Sequence, residues 1–266
     1  MHFETSERRF FYWLKTMKKL ITITTDFGDS FAAAQLRAVT ASLEFDGSLI
    51  ENHDVSSFSI VEGAFQVLTL SRFCPNGTIH VGVVDPGVGS DRAGIIIQSK
   101  DNWYVGPNNG LLYQAANKDG ILNLWKLKES YISDYVSNTF HGRDVFVKAA
   151  VYLAHGKRPE DFQSKRIAIS DLVKNSFQDG QVLHVDHYGN VKIQWNNKLS
   201  VGRKLSLKLK EENLEAPIVK TFSDVEKGRP LALLGSNDTL ELAINLGNIA
   251  NKYSIQTEEI LDIIER

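Results

Sequence analysis

Thr78-Ile79-His80-Val81-Gly82-Val83-Val84-Asp85-Pro86-Gly87-Val88-Gly89 decides the fold. Apolar, β-branched residues carry it to Val84, and it then breaks into a run too rich in Gly and Pro for regular structure. Pro86 has no N–H to give a ladder, so a strand over 78–84 has to stop there. A carboxylate, Asp85, is left at the carboxyl end of that strand, where open α/β sheets bind ligands. Arg92 follows in the same loop.

Leu20 to Thr25 reads upstream as another β-branched strand, and it too ends in a carboxylate, Asp26. Helical spacing predicts helices over 31–43 and 60–73, with a short strand over 48–51 between them. Downstream, 94–98 and 103–105 read as strands, and Gly106-Pro107-Asn108-Asn109-Gly110 as a turn. A helix is expected over 143–154, with Asp144 in a first turn whose dipole favours a negative charge. Alternating strands and helices predict an α/β unit with a mostly parallel sheet and flanking helices. From Gln181 the texture changes to short β-rich runs: 181–185, 190–195, 204–209, 217–222, 231–234 and 239–243. These predict a small β-barrel or sandwich, with a helical turn over 245–250. The expected division is an extension over 1–16, the α/β unit over 17–160, a linker over 161–180 and the β unit over 181–266.

The 266 residues are 42% hydrophobic and 23% charged, as in an ordinary globular protein. A net charge of −2 gives no global field for nucleic acid or an anionic membrane, and neither partner is expected. One cysteine, Cys74, excludes an intramolecular disulfide, zinc knuckles and iron–sulfur clusters. The apolar centre of Arg8 to Leu14 is too short for a secretory signal, and no later run reaches the length of a membrane span. A cytoplasmic location is the expectation.

Each chemical candidate has a bland alternative. Asp26 and Asp85 could simply cap turns or helices. His141, in Thr139-Phe140-His141-Gly142-Arg143-Asp144, could be structural, with Arg143 and Asp144 pairing locally. Asp186-His187-Tyr188-Gly189-Asn190 reads first as a hairpin turn and second as a loop offering a carboxylate and an amide to a zwitterion. The Gly-rich loop after Asp85 lacks the spacing of a phosphate cradle. No histidines stand at metal-ligand spacing, so no metal site is expected. Asp85, Arg92 and His141, brought together, would be the parts needed to hold and activate a water.

Taken in order, these runs resemble the S-adenosylmethionine hydrolase (hydroxide adenosyltransferase) family, whose superfamily includes the fluorinase and chlorinase. Thr25-Asp26-Phe27-Gly28, His53-Asp54, Glu62-Gly63-Ala64, Val84 to Gly89, Gly106 to Gly110, Thr139 to Asp144, Gly189-Asn190 and Thr221 to Val225 carry the resemblance across about residues 19–255. It implies an α/β N-terminal domain, a β-barrel C-terminal domain, and a homotrimer that binds S-adenosyl-L-methionine between one subunit's N-terminal domain and its neighbour's C-terminal domain. It implies a water-activating triad of Asp85, Arg92 and His141. Asp26 would bind the ribose, Asp186 the methionine, Asn190, Ser236 and Asn237 the adenine side, and Phe222 would stack on the base. The substrate would be cleaved to adenosine and methionine without a metal or redox cofactor.

Halogenases of the superfamily replace the Asp-bearing loop, carry a small hydroxyl residue at the Gly142 position and have a long insertion that does not fit between Arg92 and Trp103. Water is therefore the expected nucleophile. A halide-using transferase and a non-catalytic binder of S-adenosylmethionine or adenosine are the alternatives. This chain departs from the family pattern at Arg37-Ala38, His187 and Lys192, and its loop Gly28 to Phe31 is shorter.

Overall fold

A computed structural model describes residues 19–209 and 213–266. The extension expected over 1–16 lies outside them. Seven strands form the first sheet: β1 (Leu20–Thr25), β2 (Ser48–Asn52), β3 (Ile79–Val83), β4 (Gly94–Ser99), β5 (Trp103–Pro107), β6 (Ile121–Lys126) and β7 (Lys165–Ile167). Their order is β2-β1-β3-β5-β4-β6-β7. The first four run parallel; β4 and β7 are antiparallel to their neighbours, so five of the seven share one direction.

Period-two alternation sorts the strand side chains onto two helical layers. Ile21, Ile23, Ile79, Val81 and Val83 face α1 (Phe31–Ser42) and α4 (Val147–Ala154), among which Leu36, Val147 and Val151 are fully buried. Ile95, Ile97 and Tyr104 face the other way, onto α2 (Ile60–Ser71) and α3 (Tyr113–Asp119). Ser30 and Ser59 cap α1 and α2 by accepting from Ala33 and Glu62 N–H groups. Removing the Ile and Val side chains from water on both faces supplies the main stabilisation.

The remaining strands build a second unit around its own core, which includes Val182, Ile193, Leu205, Leu242 and Ile249. β8 (Val182–Val185), β9 (Val191–Ile193), β12 (Pro230–Leu234) and β13 (Leu240–Ile244) form one antiparallel sheet, in the order β12-β13-β9-β8. β10 (Lys204–Lys208), β11 (Asn213–Pro217) and β14 (Asp262–Glu265) form the other, in the order β11-β10-β14. Single bridges, Gln181 to Ile260 and Ile218 to Ala232, join the two sheets at both edges and close the barrel. A short α5 (Ile249–Tyr253) follows β13.

Three differences from the expected elements stand out. The strand expected over 217–222 lies earlier, as β11, because Leu214 and Ala216 point into the core while Glu215 faces out. Asp224 then turns the chain at Phe222 by accepting from the Thr221 and Lys220 N–H groups. Within the stretch expected as a linker, Lys165–Ile167 pairs with β6 and extends the first sheet. The helix expected from Arg143 begins as a π-helical turn over Gly142–Phe146 and becomes α-helical at Val147.

Candidate active site

β1 and β3 are adjacent and parallel, so Asp26 and Asp85 emerge at the same end of the sheet. Beyond Asp85 the chain makes successive tight turns, Val88 N–H to Asp85 O and Ser90 N–H to Gly87 O, and comes back to Arg92. Gly89 holds φ +78°, and a Cβ there would stand 2.4 Å from the Asn138 carbonyl oxygen. The turn therefore packs directly on the segment that leads into His141. Gly142 is equally confined, because a Cβ on it would meet Val83 Cγ1 at 2.9 Å.

Arg92 joins the two segments. Its Nε donates to Asp85 Oδ1 at 2.9 Å, and Nη2 donates to Asp85 Oδ2. Nη2 also donates to His141 Nδ1 at 2.9 Å. The guanidinium lies 5.2 Å from the centre of the Phe146 ring, over its face. The Asp85, Arg92 and His141 side chains retain only 6%, 10% and 7% of their exposure, so this is a desolvated cluster. Arg92 Nη1 is buried with no protein partner. Because arginine does not give up its proton, Nδ1 of His141 is the acceptor, and the neutral ring carries its proton on Nε2. Glu129 Oε1 stands 3.4 Å from the same Nδ1.

Two cavities meet at Asp26. One, of about 280 Å³, is walled by Asp26, Phe27, Phe58, Asp85, Phe140 and His141. Phe27 and Phe140 pack edge to face across it, with ring centres 5.6 Å apart. The other, of about 410 Å³, is walled by Asp26, His53, Asp54, Glu62, Asp186 and His187. Arg92 lines neither; it stands behind Asp85 and His141. On the barrel a third, more apolar cavity of about 620 Å³ is lined by Tyr188, Asn190, Phe222, Leu246 and Asn248.

Models of the SAM hydroxide adenosyltransferase N-terminal and C-terminal domains match residues 21–163 and 180–262. The chain belongs to the SAM hydroxide adenosyltransferase family. It is 34% identical over 249 residues to an (R)-S-adenosyl-L-methionine hydrolase from Salinispora tropica, covering 88% of this chain and 94% of that one. It is 30% identical over 263 residues to the protein of the same name from Methanocaldococcus jannaschii, covering 92% and 95%. A crystal structure of an uncharacterized conserved protein from Thermotoga maritima superposes with a TM-score of 0.82 at 26% identity, covering 92% of this chain and all of that one.

Within one SAM hydroxide adenosyltransferase chain, then, Asp26, Asp85 and His141 share a cavity, Arg92 is bonded to the last two, and Asp186 lines the adjoining space. Asn190 and Phe222 lie together in the barrel cavity instead. Ser236 and Asn237 border none of the three cavities. Asp26 is neither a helix cap nor idle: Oδ2 accepts from Phe58 N–H at 2.8 Å, which pins the loop before α2. Asp186 combines both of its expected readings. It lines the second cavity, and it also holds its own hairpin, accepting from the Tyr188 and Asn190 N–H groups, the Asn190 side chain and Lys192 Nζ. Burial would raise its pKa, but the Asn190 N–H and Lys192 outweigh that, and the carboxyl sits below its ordinary value. Lys192 also reaches Glu241 at 2.8 Å.

Asp144 pairs with Arg143 and accepts from Ser137 N–H at 2.9 Å, and these bonds hold it below the usual carboxylate range against burial. The pair thus anchors the segment 137–141 that delivers His141. Three further participants escaped the sequence reading as individuals. Thr25 Oγ1 accepts from Phe27 N–H and hydrogen-bonds His53 Nδ1 at 2.8 Å, while His53 Nε2 meets Glu51 at 3.2 Å. Glu62 accepts from Ser56 N–H at 2.7 Å and contacts His184 Nδ1 at 2.5 Å, tying the barrel to α2. His53 and Glu62 stood inside recognised motifs, but Glu129 is marked by no motif at all.

Proposed function

We propose that this chain cleaves S-adenosyl-L-methionine to adenosine and L-methionine by attack of an activated water on the ribose 5′-carbon. One observation carries the reading: in a chain of this family, Asp85 and His141 line the cavity that Asp26 also lines, and a buried Arg92 behind them is bonded to both.

The reaction needs little acid catalysis, because the leaving group is a neutral thioether. It needs an aligned oxygen nucleophile and a dry site. Asp85 has both oxygens on Arg92, so its charge is neutralised and it fixes the guanidinium. Arg92 in turn fixes His141 from behind, and its positive charge, one hydrogen bond from the imidazole, favours negative charge developing on the attacking oxygen. Nε2 of His141 then addresses the water. Asp26 keeps one carboxylate oxygen free of the Phe58 bond, suited to a ribose hydroxyl. Asp54, Glu62, Asp26 and Asp186 make the adjoining cavity acidic, suited to the sulfonium and ammonium charges of the substrate.

The adenine pocket is completed by a neighbouring copy in a homotrimer, with Asn190 and Phe222 presented against the partner's Asp26 cavity. The separation of the two half-sites in one chain supports this arrangement. A cytoplasmic setting fits the substrate; among the described residues no helix is long and apolar enough to cross a membrane. Purified protein incubated with S-adenosyl-L-methionine releases adenosine, followed by chromatography. No adenosine, or turnover unchanged in both Arg92→Ala and His141→Ala, sinks the proposal. A binder without turnover is the second reading, favoured by the saturation of Asp186 by Lys192; calorimetric binding without product would establish it. Chloride or fluoride added to the assay gives no halogenated nucleoside if water is the nucleophile.

A further inference from the structure

We infer that Glu129 is a positioning residue that switches His141 from a hydrogen-bond donor into the base that takes the proton of the water. The inference rests on the hydrolase reading of the same site. It starts from a conflict at one atom. Arg92 Nη2 lies 2.9 Å and Glu129 Oε1 3.4 Å from His141 Nδ1, and the two demand opposite protonation. Arg92 only donates, so it requires a bare Nδ1 and leaves the ring proton on Nε2. In that form Nε2 can donate to an oxygen but can accept nothing. Glu129 only accepts when ionised, so it favours Nδ1–H, which leaves Nε2 with a free lone pair.

The groups around the ring leave Glu129 as the candidate for this role. Asp85, from the end of β3, is committed to Arg92 through both oxygens. Arg92 comes from the loop before β4 and is always cationic. On the segment of His141 itself, Arg143 and Asp144 neutralise each other at 2.7 Å. The Phe146 ring, 6.4 Å away and edge-on, offers no charge. Glu129, on the 3₁₀ turn Glu129–Tyr131 that follows β6, is 34% exposed and so exchanges protons with solvent, whereas His141 is 7% exposed.

The step balances. As the water oxygen bonds to the 5′-carbon, one O–H bond breaks and its proton goes to Nε2. The electron pair of the carbon–sulfur bond leaves on sulfur, giving the neutral thioether of methionine and the 5′-hydroxyl of adenosine. The imidazolium is held by Nδ1–H to Glu129 until it releases a proton to solvent.

Glu129→Gln keeps the shape and removes the charge. The expected result is a kcat lower by about tenfold with KM changed less than about twofold, as for a weakened general base. The acidic limb of the kcat profile moves to lower pH, because the imidazolium loses its anionic partner. A variant with the kcat and pH profile of the parent overturns the inference. A parent that yields no adenosine overturns the hydrolase reading instead. The coupling is then decided by ¹⁵N NMR of the His141 ring. The doubly protonated ring forms at lower pH in Glu129→Gln than in the parent, and identical titrations overturn the inference.

Discussion

Arg92 shows how much one side chain decides at this site. Its guanidinium places two N–H groups on Asp85, one on His141 and its π face over Phe146, and still keeps a buried donor free. Lysine carries the same charge but presents no planar fork. Arg92→Lys is therefore expected to lower kcat by about a hundredfold, the cost that a small misplacement of the groups aimed at the reacting atoms can carry. Calorimetric affinity for S-adenosyl-L-methionine should change far less, since Arg92 lines neither cavity around Asp26. Asp85, Arg92 and His141 were legible as a set because their motifs are dense in Gly and Pro. Glu129 was not, because an isolated Glu before Ser130-Tyr131 differs from a solvated surface residue only by what the fold sets beside it.

At the scale of elements, the site depends on how closely two loops approach. Gly89 in the loop after β3 touches the Asn138 backbone, so the segment that carries Arg92 and the segment that carries His141 move together. Gly89→Ala puts a Cβ in a left-handed conformation against a carbonyl oxygen, and neither atom can yield cheaply. A loss of about 2 kcal/mol or more in urea unfolding is expected, with kcat falling alongside. Either measurement at parental values would refute the coupling.

β3 also carries an opposite face. His80 is buried there, hydrogen-bonded to Thr22 Oγ1 at 2.8 Å and stacked on Tyr104, with the two ring centres 5.1 Å apart. Burial lowers its pKa from 6.5 to about 4, with Asp119 opposing. The unfolded chain thus binds a proton there that the folded chain refuses. Stability attributable to His80 is full above about pH 6.5 and is lost as the pH falls toward 4, by about 3 kcal/mol in all. Comparing unfolding midpoints at pH 7 and pH 4.5, His80→Asn should show a smaller drop than the parent. Most strands and helices of the first unit were legible because apolar periodicity marks them. β7 was not: Lys165-Arg166-Ile167 becomes a strand only through its edge pairing with β6. β14 is likewise built by pairing with β10 rather than announced by its own sequence.

At the scale of the whole molecule, one chain holds two half-sites. The proposed water-activating side lies on the α/β unit and the aromatic, amide-bearing side on the barrel, and Glu62–His184 and Ser59–Glu258 fix the two units to each other. In the proposed homotrimer each active site draws its halves from different copies. Mixing a His141→Ala protein with an Asn190→Ala protein, after dissociation and reassembly, should then restore turnover that neither shows alone. Mixtures that stay as inactive as their parents would exclude shared sites.

What the sequence determined by itself was local and periodic. β-branched runs interrupted by Gly and Pro set the strands, their carboxyl ends and the carboxylates there, because backbone sterics act over a few residues. Its ordered motifs also set the family. The tertiary structure decided which polar groups meet. It put Glu129 and Arg92 on one imidazole nitrogen, engaged Asp186 within its own hairpin, and kept Asn190 and Phe222 away from Asp26. Those choices depend on distances between residues far apart in the chain, and hydrogen bonding and desolvation act only once folding has fixed those distances.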